Sequence, residues 1–366
     1  MSTAKTATSL AILAASFGLT YAPLPGVQQT ITVVSGSELQ EPLALLEERF
    51  EQEYPNISVK VEIQGSQDMV NNYVDGQNDF QPTVLIPANG QLLGELEERW
   101  SSQNSASPFL GQPQPIAKTM LVAIAWPERG KALFPNGQFA WGRLEEAMTK
   151  GSWGDIGGKS TWGSFDFVTT DPTRSNSGQL TLGLWTQAAL GGQALSVPQL
   201  NTPEIEALVG TIKQSVYQPP RSTDILLQEF ITRGPNDADV ATVYESVALM
   251  RWQQASITQG QPYQIYYLDP TIETVSTAAV MKPNISGGEA KAGQAFVDFL
   301  LAPQQQQVFV QAGFRPMNSE VDIAQVANSP WNENIPGAAL DPANRVTLPP
   351  DRALITELIR LWQRAN

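Results

Sequence analysis

The sequence predicts an α/β fold in two lobes, each a mainly parallel sheet flanked by helices. Short β-branched, apolar runs alternate with amphipathic helical stretches, the pattern of parallel strands joined by crossover helices. The turns after several of these strands are small and polar, which suits a sheet edge that presents them to a ligand. The chain has 366 residues, enough for two lobes with their own cores.

Composition narrows the function. The chain is 42% hydrophobic and 16% charged, with a formal net charge of -14. So acidic a chain disfavours nucleic acid and anionic membrane surfaces as partners. It leaves a small anion open, because local groups set the affinity for a small ion. There are no cysteines, which removes disulfides, thiolate chemistry and a lipidated N-terminal Cys. There are no histidines either, which removes Ser-His-Asp and Cys-His catalysis and His metal sites. No metal, cofactor or enzymatic activity is expected. Among enzymes, a carboxylate-based glycosidase remains the alternative.

The chain begins Met1-Ser2-Thr3-Ala4-Lys5 and continues with an uncharged run over 6–22. The run is shorter than a bilayer span, and Thr20-Tyr21-Ala22 is a usable cleavage site. It reads as a secretory signal over 1–22, with an uncleaved leader as the alternative. The expected location is the periplasm or the medium, without a lipid anchor.

The first strand is Ile31-Thr32-Val33-Val34. It runs through Ser35-Gly36-Ser37 into a helix with Leu39, Leu43, Leu46 and Phe50 on one face. Ser37 and Gln40 have capping-box spacing, and Pro55 lies past the end. Glu38, Glu41, Glu47, Glu48, Glu51 and Glu53 read mostly as a solvated acidic face. Residues 57–63 alternate as a second strand, followed by Gly65-Ser66 and a helix carrying Met69, Val70, Tyr73 and Val74. Residues 83–86 are a third strand, followed by Pro87-Ala88-Asn89-Gly90 and another helix. A polar loop over 101–114 leads to an apolar strand at 119–126, with the first crossing between lobes near Pro115.

The second lobe opens with a helix around 141–148 and a Gly-rich loop. Its Trp141, Trp153 and Trp162 are either core anchors or platforms for a sugar. A strand at 164–168 then leads into Thr169-Thr170-Asp171-Pro172-Thr173-Arg174-Ser175-Asn176-Ser177-Gly178. Asp171-Pro172 favours a turn, and Ser175, Asn176 and Ser177 are all good N-cap residues. Gly178 allows close approach to the backbone. The helix that follows carries Leu180, Leu184, Trp185 and Ala188 on one face. Free N–H groups, hydroxyls, a helix dipole and the Arg174 guanidinium together make an anion site. The same residues also suit an ordinary capped helix.

A helix over 203–216 precedes Arg221-Ser222-Thr223-Asp224, a turn with N-cap options, and a helix at 225–231. Asp237-Ala238-Asp239 lacks the rest of a calcium loop and reads as a turn. A strand at 240–243 ends in Tyr244-Glu245-Ser246 and gives way to a helix at 247–252. The strand at 263–268 starts at the return crossing, near Tyr263. A short strand at 279–281, helices at 292–301 and 304–310, and a last helix at 352–364 complete the chain. The expected division is 28–115 with 264–366 in the first lobe and 116–263 in the second.

Four stretches together resemble one family: Ser35-Gly36-Ser37-Glu38-Leu39, the run from Thr170 to Gly178, Val243-Tyr244-Glu245-Ser246-Val247, and Ala295-Phe296-Val297-Asp298-Phe299-Leu300 with Gly313-Phe314-Arg315-Pro316. In this order the chain resembles a bacterial extracellular solute-binding protein with the type 2 periplasmic-binding fold. The similarity is to the branch often fused to von Willebrand factor A domains and related to sulfate- and molybdate-type binders. The resemblance implies two lobes closing on a ligand between them; that the solute is a small anion rests on the chemistry of the turn at Arg174 to Gly178. It implies a monomer that serves an ABC-type permease or a von Willebrand factor A protein. It also implies ligand groups at Ser35, Ser37, Arg174, Ser175, Ser177 and Tyr244, with weaker matches at Ser66 and Asn89. Asn176 and Glu245 flank these groups as further candidates. Arg315 looks structural. A sensor module that kept the fold, and a sugar binder, are the alternatives. Such a site of hydroxyls, N–H groups, Tyr244 and Arg174 keeps one charge state between about pH 5 and 8, unless a carboxylate such as Glu245 titrates in it.

Overall fold

The computed structural model describes residues 28–216 and 218–365. The expected signal segment lies outside them. In chain order the strands are β1 Gln29–Ser35, β2 Ile57–Ile63, β3 Val84–Ile86, β4 Gln114–Ala125, β5 Phe167–Val168, β6 Val240–Tyr244, β7 Gln264–Tyr267, β8 Thr271–Val280, β9 Arg315–Pro316 and β10 Val346–Thr347. The helices are α1 Gln40–Glu53, α2 Ser66–Val74, α3 Gln91–Ser101, α4 Pro127–Leu133, α5 Trp141–Lys150, α6 Asn176–Ala189, α7 Val197–Leu200, α8 Pro203–Ser215, α9 Thr223–Arg233, α10 Glu245–Gln259, α11 Gly287–Leu300, α12 Pro303–Gln311 and α13 Arg352–Arg364.

Among the described residues the strands join in the order β2-β1-β3-β8-β4-β6-β5, with β10 on β8 and both β7 and β9 on β4. In the first lobe β1 pairs in parallel with β2 and β3, as alternating strands and helices dictate. Apolar residues face both sides of this sheet. Val33, Ile31 and Val84 pack under Leu43, Phe50 and Phe296. Val34 and Leu85 pack under Met69, Val70 and Leu96. Burial on both faces explains the continuous Ile-Thr-Val-Val and Val-Leu-Ile runs.

Two strands link the lobes. β4 pairs antiparallel with β8 over Gln114 to Met120 and then with β6 and β7 over Leu121 to Ala125. The pairing in the second lobe is therefore more antiparallel than expected, because β4 enters it already running from the first lobe. Among the described residues the parallel pairs on that side are β5 with β6, and β10 with the start of β8 at Thr271 and Ile272.

The crossings also come later than Pro115 and Tyr263. β4 exchanges its partners between Met120 and Leu121, and β7 still belongs to the second lobe's sheet. The last helix departs from the expected division too. Leu354, Leu358, Leu361 and Trp362 of α13 are buried in the same core as Trp185, Leu200 and Ile205. The helix amphipathicity is plain in the sequence, but the docking partner of an amphipathic face is a long-range choice.

Candidate functional site

Five helix beginnings converge between the lobes. The residues that precede or open them are Gly36 before the 3₁₀ turn leading into α1, Gly65 before α2, Ser175 before α6, Ser222 before α9 and Tyr244 before α10. All five line one cavity, together with Ser37, Glu38, Gln64, Ser66, Asn176 and Thr223. The first N–H groups of a helix have no partner inside it, and the dipole adds a partial positive charge there. None of the five is capped by the side chain of its own preceding residue, although the Ser246 N–H of α10 donates to Thr119 Oγ1 at 3.0 Å and the Gln67 N–H of α2 to the Arg174 carbonyl at 3.3 Å. The cavity is small, about 10 Å³, so the lining groups lie close to one another and a larger solute requires the lobes to part.

Of the candidates, Ser37, Ser66, Ser175, Asn176 and Tyr244 line this one cavity. Ser66 Oγ accepts the Ala88 N–H at 3.0 Å, which ties α2 to the turn after β3. Asn176 Nδ2 donates to Tyr244 Oη at 2.9 Å. That leaves the phenol proton available to another oxygen.

The other candidates do not line this cavity. Ser35 is buried behind it and donates to the Gly36 carbonyl at 3.3 Å. Asn89 lines a neighbouring cavity with Gln179 and Arg352, and its Oδ1 accepts the Gln91 N–H. Ser177 Oγ contacts Thr170 Oγ1 at 2.8 Å, Ser175 Oγ at 3.2 Å and Thr223 Oγ1 at 2.7 Å. Three partners use up one hydroxyl's donor and two lone pairs, so Ser177 braces the wall. Arg174 turns outward, with Nε and Nη2 on Asp68 Oδ2 at 2.9 and 2.8 Å. It joins the second lobe to the first turn of α2. Glu245 is fully buried away from the cavity. Its carboxylate takes both Nε and Nη2 of Arg315, at 2.9 and 2.8 Å, and the Tyr267 hydroxyl. That bidentate pair fixes α10 to β9, and Arg315 is a structural residue.

Two glycines show why close approach is needed, and neither makes room for a ligand. A Cβ on Gly178 would strike the Thr170 carbonyl of its own turn. A Cβ on Gly65 would lie 2.6 Å from the Arg174 carbonyl oxygen of the opposite lobe. The Gln67 N–H donates to that same carbonyl at 3.3 Å. The lobes therefore meet backbone to backbone at the cavity rim.

Glu38 is the residue that sequence reasoning misplaced. It is 4% exposed and lines the cavity. The helix entry is a 3₁₀ turn over Ser37–Leu39 with Gly36 as its cap, so the capping box expected from Ser37 and Gln40 does not form. The burial of Glu38 comes from the facing lobe, whose Ser222, Thr223 and Tyr244 share the cavity lining with it and whose Asp224 lies near its carboxyl, so a position that α-helical periodicity gives to solvent is covered by a distant part of the chain. Burial pushes its carboxyl up to about 7 against the pull of its own backbone N–H, and Asp224 adds to the rise. A carboxyl raised to about 7 in this lining is the exception that the sequence left open to a site with one charge state across pH 5 to 8. Ser222 and Thr223 were visible only as N-cap options; nothing local marked them as lining a site.

A larger cavity, about 290 Å³, lies outside the cleft at Trp126, Arg129 and Trp162. The Arg129 guanidinium there pairs with Asp239 at 3.1 Å and lies over the Trp153 and Trp162 rings. Trp141 and Trp153 are core residues. Asp239 is Arg129's partner, and no cluster of metal-ligating side chains occurs among the described residues.

A family model described as bacterial extracellular solute-binding protein matches residues 31–315. The chain belongs to this family. The span covers both lobes and all five helix beginnings. A sulfate-binding protein from Synechocystis sp. is 24% identical over 233 residues, 61% of this chain and 60% of that protein. Among solved structures, the sulfate-binding protein SubI from Mycobacterium tuberculosis superposes with a TM-score of 0.58 at 18% identity, over 90% of this chain and 96% of that one. A periplasmic thiamin binding protein gives 0.64 at 14% identity, over 93% and 98%. Iron-bound HitA from Pseudomonas aeruginosa gives 0.58 at 17%, over 92% and 99%. These likenesses establish the two-lobed periplasmic-binding fold of this solute-binding protein. The ligands named for them differ. No helix among the described residues is long and apolar enough to cross a membrane.

Proposed function

We propose that this solute-binding protein captures a small oxyanion between its lobes, outside the cytoplasm, and delivers it to an ABC-type importer. The observation that carries the reading is the convergence of five helix N-termini on one small cavity. Helix starts and hydroxyl-bearing side chains lining one cavity suit a compact anion, and the helix dipoles add to its affinity. The relative described as a sulfate-binding protein is in keeping with this. A sugar platform in the cleft lacks support, since Trp141 and Trp153 are buried in the second lobe's core and Trp162 lies at the cavity outside the cleft. The test is a thermal-shift screen of the full chain against sulfate, phosphate, molybdate, thiamin, ferric ion, sugars and amino acids. At a hundredfold excess over the dissociation constant, the cognate oxyanion should stabilise the protein by about 2.7 kcal/mol. Stabilisation by a sugar, thiamin or iron with none from any oxyanion would overturn the reading.

A further inference from the structure

The cavity has a feature that a plain anion trap lacks. Its lining includes no Lys or Arg, but it does include a carboxyl group. Glu38 Oε1 is buried and has no hydrogen-bond partner within the protein, and neither has the buried Ser222 Oγ on the facing lobe. The carboxylate folds over Gly36, where a Cβ would collide with both of its oxygens. A buried carboxyl oxygen left without a partner is costly unless something bonds to it.

We infer that the site takes its oxyanion together with one proton, shared between the Glu38 carboxyl and a ligand oxygen. The inference rests on the oxyanion reading and specifies the ligand class: hydrogen-bearing oxyanions are favoured over fully ionised ones at alkaline pH. The proton balance differs between the two classes. A dianion without hydrogen, such as sulfate, can only accept. Glu38 must then take up one proton from solution and donate it to the ligand as the neutral acid. A hydrogen phosphate dianion brings its own proton. Its O–H donates to the ionised Glu38, and nothing is taken from solution.

The surroundings leave this role to Glu38. Asp224, on α9, contacts Arg251 of α10 through its Nε, and Arg251 Nη2 reaches Glu41 of α1 at 3.0 Å. That cation is therefore spent on two carboxylates outside the cavity lining. Tyr244, at the end of β6, is held protonated by burial, by the negative charge of Glu38 and despite the Asn176 hydrogen bond. Arg174 is engaged with Asp68 at the rim. Burial brings the Glu38 carboxyl up to about 7, so the proton is within reach near neutral pH.

The experiment is calorimetric titration of the full chain with sulfate and with phosphate, at pH 6 and pH 8 and fixed ionic strength. Each is run in two buffers of different ionisation enthalpy, which counts the protons exchanged. At pH 8 sulfate should bind with uptake of nearly one proton, and its affinity should fall about tenfold per pH unit above 7. Phosphate at pH 8 should bind with almost no exchange. Glu38→Gln should bind sulfate without proton uptake, flat in pH, and lose the alkaline preference for phosphate. The wild-type proton count needs no variant, so it decides the matter even if Glu38→Gln fails to fold. Sulfate binding without uptake and flat in pH would overturn this inference and leave the oxyanion reading standing. Failure of both anions to bind either protein would bring down the reading itself, and the inference with it.

Discussion

Ser177 holds the inner wall of the cavity through one oxygen shared with Thr170, Ser175 and Thr223. Ser177→Ala leaves three buried hydroxyls one partner short, which costs about 1–3 kcal/mol. Chemical denaturation of the unliganded protein should show that loss; an unchanged midpoint would mean that the hydroxyls re-pair among themselves. Arg174 is a different case. Its pair with Asp68 is 45% exposed on the Arg side, and such pairs contribute about 0.2–1 kcal/mol and are screened by salt. Arg174→Ala should therefore weaken anion binding only slightly, with the difference vanishing at high salt. A loss of a hundredfold at any salt would put the guanidinium on the ligand. At this scale the sequence revealed residue types better than directions. The run from Arg174 to Gly178 announced a polar helix start, and Ser175 and Asn176 are where that predicts. Which way Arg174 and Glu245 point depended on partners 106 residues back, at Asp68, and 70 residues on, at Arg315. No local pattern encodes that.

Among the elements, the helix starts were the most legible part of the chain. Gly, Ser and Asn after a β-branched run marked Gly36, Gly65 and Ser175 without any knowledge of the fold. Glu38 is the exception, because its cover is the facing lobe, at Ser222, Thr223 and Tyr244, and periodicity within one helix carries no sign of it. Gly65 shows what these turns do between elements. Its bare backbone faces the Arg174 carbonyl at the 2.6 Å a Cβ would occupy, with the Arg221 carbonyl at 3.1 Å. Both neighbours are backbone and cannot swing aside. Gly65→Ala should hold the lobes apart and oppose closure by about 1–3 kcal/mol. The dissociation constant of the bound anion should rise by roughly tenfold or more, while the unliganded melting temperature stays put. Wild-type affinity in this variant would show that the lobes do not need this contact to close.

For the whole molecule, the two lobes and their α/β layers follow from alternation of strands and helices, whereas the placement of α13 on the second lobe does not. Its apolar face fits any core, and only the path of the intervening chain selects one. Buried acids tie overall stability to pH. Burial raises Glu38 from 4.5 to about 7 and Asp239 from 3.8 to about 6. Between each pair of values the folded state holds more protons than the unfolded one, so stability falls as pH rises. The contribution is full below about pH 4 and is lost by about pH 7. The unliganded melting temperature should therefore decline from pH 5 to 8, the Glu38 share being at most about 3 kcal/mol. Glu38→Gln should flatten the upper part of that decline. A wild-type melting temperature that climbs over the same range would mean that these two groups are not the ones controlling it.

The five converging helix starts also bear on how this binding site can drift over generations. A backbone N–H belongs to every residue except proline, so ordinary substitutions at these turns leave the peptide donors in the chain. Recognition of negative charge is in that sense hard to lose by point mutation, and since proline fits the first position of a helix, a library should show proline at Ser37, Ser66, Asn176 and Thr223 folding normally while losing anion binding. The side chains that choose among anions are few, and Glu38 is the one that carries charge. New ligand preferences can then be explored at that position while the surrounding framework keeps its donors.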